Sequence, residues 1–177
     1  MSKNLDKVIA VLKHLNISPD VRSYLGRFII QKVAFLAQVV GIETDYIFTI
    51  YVAGPYSPAL AHDYYNNPEK VLSLESDYTL SENEIQKLKK LERNIDLFKN
   101  VKSFSLLEST ATAAYFLHKN PNITDGDLIL QIKRVKPYLS DENIILGINR
   151  AKSFLFKSEY LTKRLRKELD TWDKIDN

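Results

Sequence analysis

The sequence predicts a mainly helical α+β fold: one compact multi-helix domain with a small two- or three-stranded β element after the second helix. Three observations carry that reading. Apolar residues recur at helical spacing along most of the chain. Two of the resulting segments are apolar on nearly every face, as central helices are. A single prominent stretch, 45–52, is dense in Tyr, Ile, Phe, Thr and Val. With 177 residues, 45% apolar and 27% charged, the chain is long enough for one real core. Its five glycines are scattered, and no Gly/Ser/Pro-rich linker or internal repeat divides it. It therefore reads as a single domain over 1–177, with a helix–helix–β–short helix–β half (1–78) and a helical half (79–177).

Taken in order, Leu5, Val8, Ile9, Leu12 and Leu15 fall on one helical stripe that ends before Pro19. The segment 21–40, rich in Phe, Ile, Val and Ala, predicts a buried helix stopped by Gly41. The strand over 45–52 is broken by Gly54-Pro55-Tyr56-Ser57-Pro58, where Ser57 caps a short helix with Pro58 at its first position. Asn66-Asn67-Pro68 closes that helix, and 71–74 is a candidate second strand forming a small hairpin or wing with the first. That pairing gives the N-terminal half a winged-helix-like form. Ser81 and Glu84 make a capping box for a helix through Phe98. Ser103 to His118 is the second all-round apolar helix, expected to pack on the helix from Val21. Thr124 caps a helix running toward Pro137, and Ser140 caps a last one whose apolar seam extends to Trp172. Whether that helix is continuous or breaks near Lys157 stays open.

Without cysteine the chain forms no disulfide, thiolate zinc site, Fe–S cluster or cysteine nucleophile, and a reducing cytoplasm fits it. The first residues lack the apolar core of a signal peptide, and no apolar run is long enough to span a bilayer. Glycine-clustered phosphate loops, the G-x-S-x-G elbow and the H-E-x-x-H pair are absent. Ser57 reads as a cap rather than a nucleophile. His62 and Asp63 are helix neighbours about 100° apart and cannot grip one atom together. Asp125 and Asp127 suit a helix N-terminus rather than a calcium loop. No catalytic residue, metal or other cofactor is expected.

The formal charge of +3 is too small to name a partner, but its distribution is uneven. Residues 131–168 hold ten basic and four acidic side chains. Among them Lys133, Arg134, Arg150, Lys157, Lys163, Arg164, Arg166 and Lys167 could form a phosphate-binding face, or simply a solvated helix surface. A second polar set is Arg27, Gln31 and Lys32 in one apolar helix and Glu108 in the other. Unpaired buried charge is costly, so Glu108 should meet a basic or amide partner as part of a structural polar core.

The run Gly26-Arg27-Phe28-Ile29-Ile30-Gln31-Lys32-Val33-Ala34-Phe35-Leu36, then Phe48, Tyr51 and Gly54 to Leu60, resembles the YwgA-like family of small prokaryotic proteins. Leu107 to Leu117, Lys136 to Ser140 and Ala151 continue the likeness, which covers about residues 20–155. The glutamine-lysine in an early buried helix and the glycine-proline before a short helix resemble, more distantly, the Panacea (SocA-like) antitoxin domain. Ile30 stands where that run usually has leucine. The nearer resemblance implies no activity, and the distant one implies a domain that acts by binding partner proteins.

Two readings follow. In the first, the chain is a non-enzymatic interaction or regulatory module, antitoxin-like in form, whose partner is another protein. Its contact segment would be Tyr51, Gly54, Pro55, Tyr56, Ser57, Pro58, Tyr64 and Tyr65, since tyrosines supply rigid contact area with a polar tip. The same segment equally describes a packed turn. In the second, the basic C-terminal helix and a winged-helix-like unit bind nucleic acid.

Overall fold

The computed structural model describes residues 3–99 and 104–156. Nine helices and one two-stranded antiparallel sheet are present among them. In chain order these are α1 (Lys3–His14), α2 (Tyr24–Val39), β1 (Thr49–Tyr51), β2 (Gly54–Tyr56), α3 (Pro58–Asn66), α4 (Pro68–Leu72), α5 (Glu82–Glu92), α6 (Asp96–Lys99), α7 (Phe104–Lys119), α8 (Asp125–Val135) and α9 (Asp141–Leu155). One continuous core runs from Leu5 on α1 to Phe154 on α9, so the two sequence halves share a single interior.

Local chemistry fixes most of the starts. Ser81 accepts from the Glu84 N–H while the Glu84 carboxylate accepts from the Ser81 N–H, the reciprocal capping box. Ser57, Thr124 and Ser140 cap α3, α8 and α9, and Ser23 caps α2. The central pair is as the apolar pattern requires: α2 and α7 are buried over most of their length and pack on one another. The most extensive contact of α7, however, is with α9. Gly147 makes that closeness achievable. A methyl group there would lie 2.4 Å from Ser109 Oγ and 2.8 Å from the Ser109 backbone carbon. Gly147→Ala is expected to cost about 1–3 kcal/mol, measured as a lowered urea midpoint at unchanged slope.

Three expectations are corrected. Residues 71–74 form no strand: Pro68 opens the short helix α4, with Val71 buried and Leu74 in the left-handed region at φ 52°. The partner of β1 is instead Gly54–Tyr56, the segment read as a strand breaker, in the register Thr49–Tyr56, Ile50–Pro55 and Tyr51–Gly54. This hairpin packs against α2 and α7 through β2 rather than standing off as a wing, which removes the winged-helix-like form. The helix from Ser81 does not run to Phe98 but stops at Glu92, and α6 follows after a turn. The continuity of the last helix, left open by the sequence, is decided in part: α9 ends at Leu155 with Phe156 in an extended conformation. Lys157, Lys163, Arg164, Arg166 and Lys167 lie outside the described residues, as does Trp172.

Candidate functional site

Tyr24, Arg27, Phe28, Gln31 and Lys32 recur at i, i+3, i+4, i+7 and i+8, so α2 presents all five on one face. That face is one wall of a cleft of about 380 Å³. The hairpin supplies the opposite wall through Tyr51, Val52, Ala53, Gly54 and Tyr56, and α3 closes the end with Tyr64 and Tyr65.

The hairpin is held by side chains that the helices bury. Gln31 Nε2 donates to Ser57 O at 3.0 Å, and the Ser57 N–H donates to Gln31 Oε1 at 2.8 Å, reproducing a strand-like double bond. Lys32 Nζ donates to Pro55 O at 2.9 Å and sits 4.8 Å from the Phe28 ring centre. Gly54 is at φ +86°, and a methyl group there would lie 3.0 Å from Thr112 Oγ1 and 3.4 Å from Lys32 Cε, so glycine alone fits without strain. From the other side Lys136, just past α8, donates to Tyr51 O at 2.5 Å and also to Val52 O. Two buried lysines therefore grip three carbonyls of one short hairpin, on both strands and in the turn between them.

Glu108 on α7 completes the set. Its carboxylate lies 3.2 Å from Lys136 Nζ and accepts from the Tyr138 hydroxyl, which is also 2.9 Å from Val52 O. Burial, then the bond to Glu108, raises the Tyr138 hydroxyl well above its ordinary range although the ring itself is exposed. Lys32 and Lys136 are 2% and 1% exposed and Glu108 is 9% exposed, so the cluster behind the hairpin holds two amines and one carboxylate. Glu108 and Lys136 form the pair, and Lys32 is left as the surplus amine. Burial lowers its pKa from 10.5 to about 7; attraction to Glu108 opposes this, and the Lys136 charge assists it. Burial likewise pushes the Tyr64 hydroxyl up to about 12, against a hydrogen bond from Gln31.

The expected contact residues separate into two roles. Tyr51 and Tyr65 are 61% and 58% exposed at the rim, Tyr56 is half-buried against Tyr51 with ring centres 5.3 Å apart, and Pro58 is exposed. Gly54, Pro55, Ser57 and Tyr64 are buried and shape the cleft from behind. An exposed patch built on Tyr56 and Tyr64 together is therefore not what the structure has. Of the ten large hydrophobic side chains exposed among the described residues, Tyr24, Tyr51, Val52 and Tyr65 line this cleft, and Tyr138 adjoins it.

The polar core is also partly redrawn. Gln31, Lys32 and Glu108 are buried, but Arg27 is half-buried at the cleft, its Nη1 bonded to the carbonyls of Val21 and Arg22 and its guanidinium 5.8 Å from the Tyr65 ring centre. Glu108 does meet a basic partner, and that partner is Lys136, outside the polar set that the two apolar helices supply. Tyr24, Phe28, Val52, Ala53 and Tyr138 escaped the sequence reading as well. Extending the helical spacing back from Lys32 and Arg27 to Tyr24 would have found one of them.

Lys133 pairs with Asp141 at 2.7 Å and Arg150 with Asp96 at 3.1 Å, and nine residues separate Asp141 from Arg150, about 180° around α9. Arg134 is exposed on α8, and Lys152 pairs with Asp125 at 2.5 Å. His62 is exposed on α3, while its neighbour Asp63 accepts from Tyr46 at 2.7 Å. Among the described residues no group of His, Cys, Asp or Glu could hold a metal ion, and no helix is long and apolar enough to cross a membrane.

In comparisons with known proteins, no family model matches the chain, and neither a curated protein nor a solved structure matches it.

Proposed function

We propose that this protein is a non-enzymatic interaction module, regulatory in role, that holds a segment of a partner protein in the tyrosine-rimmed cleft between α2, the hairpin and α3. The observation that carries this reading is the gathering of exposed Tyr24, Tyr51, Val52 and Tyr65 around one concavity. Aromatic side chains ordered around a cleft bring large contact area at small entropic cost, which is how interfaces concentrate their energy. The hairpin's anchoring by Gln31, Lys32 and Lys136 supports it further, since a wall fixed beforehand leaves less to be ordered on binding. The antitoxin-like role implied by the family resemblance is one form of this reading. The pairing of Lys133 and Arg150 with carboxylates counts against the nucleic-acid alternative.

The test is gel filtration with light scattering on the protein isolated from its own cells at low salt, beside the variant Tyr51→Ser/Tyr65→Ser. A stoichiometric protein companion is expected with the wild type and is expected to be lost, at least tenfold, with the variant. Companions retained equally by both would overturn the cleft as the contact site. Co-eluting nucleic acid removed by salt would overturn the reading as a whole.

A further inference from the structure

We propose that the cleft seats a carboxylate of an acidic peptide segment, with Lys32 and Arg27 facing the anion and the tyrosine rings enclosing its apolar stem. This rests on the interaction reading above and names the partner's chemistry.

Charge complementarity carries it. Two of the residues lining the cleft are basic, Arg27 and Lys32, and none is acidic. Glu108, the nearest compensating carboxylate, lies behind the wall and is held by Lys136 and Tyr138. Among the described residues Lys32 makes no ion pair; the bond its ammonium makes, to Pro55 O, occupies one of three donors. Such an amine is poorly stabilised in its charged form until an anion arrives. The surroundings favour one that brings its own apolar body: Phe28 beneath the amine and the rings of Tyr51, Tyr56 and Tyr65 at the mouth. Arg27 Nη1 serves two backbone carbonyls, which leaves its Nη2 and Nε donors, with the Lys32 amine, to an anion.

Binding of the anion then includes proton uptake by Lys32, whose pKa of about 7 leaves it half neutral in the free protein at neutral pH. Facing it across the cleft are Tyr51 and Tyr56 of the hairpin and Tyr64 and Tyr65 of α3. Behind it stand Glu108 of α7 and Lys136, and Arg27 shares its helix. The variant Lys32→Met separates the part of Lys32 from theirs.

The probe is a displayed library of random dodecapeptides, selected on the full chain at pH 6. The best sequences are then synthesised with each acidic residue exchanged for its amide and measured by fluorescence anisotropy. Enriched sequences are expected to carry Asp or Glu beside an aromatic or aliphatic residue, and the amide exchange is expected to weaken binding at least tenfold. Affinity is expected to fall about 30-fold from pH 6 to pH 8.5, following the protonated fraction of Lys32. Lys32→Met is expected to bind weakly with a flat pH profile; should that variant not fold, Arg27→Gln and the wild-type profile decide. Peptides without acidic enrichment, bound equally at both pH values, would overturn the carboxylate while leaving the interaction reading intact. No enrichment over Tyr51→Ser/Tyr65→Ser would overturn both. Binding of free benzoate, but of no peptide, would show a small-acid pocket and overturn the peptide as occupant.

Discussion

Glu108→Gln is expected to lower the stability of the fold by about 3–5 kcal/mol, the cost of leaving a buried cation without its anion. The amide keeps the shape of the carboxylate, so the loss is electrostatic. Lys136 is 1% exposed and lies 3.2 Å from the Glu108 carboxylate, with Tyr51 O and Val52 O as its other partners. Carbonyl dipoles satisfy its hydrogen bonds but do not neutralise its charge. The measurement is urea unfolding followed by circular dichroism, read from the midpoint at constant slope. Glu108→Gln/Lys136→Met should be more stable than Glu108→Gln alone, because removing both members of a buried pair costs far less than orphaning one. A single-variant loss below about 1 kcal/mol would show that the pair is not desolvated as the structure has it.

The second large effect belongs to Lys32 and appears as a pH dependence. Its folded-state pKa is about 7 and its unfolded value 10.5, so between those limits the unfolded chain binds the extra proton. Stability therefore rises with pH through this window. Below pH 7 both states are protonated and the full penalty of burying the ammonium is felt; above pH 10.5 it is gone. From pH 7 to pH 9 the wild type should gain about 2 kcal/mol relative to Lys32→Met, which lacks the titrating group. Parallel stability curves for the two proteins over that range would contradict a desolvated Lys32.

What could be read in advance follows from how far the deciding contacts reach along the chain. The caps at Ser57, Ser81, Thr124 and Ser140 are bonds to an N–H three residues on, and all four stand where the sequence puts them. The burial of α2 and α7 was equally legible, since a helix apolar on every face has nowhere else to go. The hairpin was not. Glycine and proline both weaken a strand reading, yet in a two-stranded sheet Pro55 sits on an edge, where a missing N–H costs nothing if it points outward. Residues 71–74 are too few for periodicity to tell strand from helix, and Pro68 at the first helical position decided it. At the site, the need of Glu108 for a basic partner was visible from burial alone. That the partner would be Lys136 was not, because the two are joined only by the packing of α7 against α8 and the turn that follows it.

The latch on the hairpin spans much of the chain. Lys136 reaches Tyr51 O and Val52 O across 85 and 84 positions, and Tyr138 reaches Val52 across 86. Contacts of such sequence separation form late, after the local helices that they join. A growing polypeptide that has released everything through α6 has the Gln31 and Lys32 bonds to the hairpin but neither Glu108 nor Lys136, so the Tyr51–Val52 end of the hairpin is still unbraced. The lining of the cleft is therefore synthesised first, and the groups that brace it from behind follow later. The brace behind the Tyr51–Val52 end of the hairpin thus waits on the closure of a core whose last parts come 85 residues after the strands they hold.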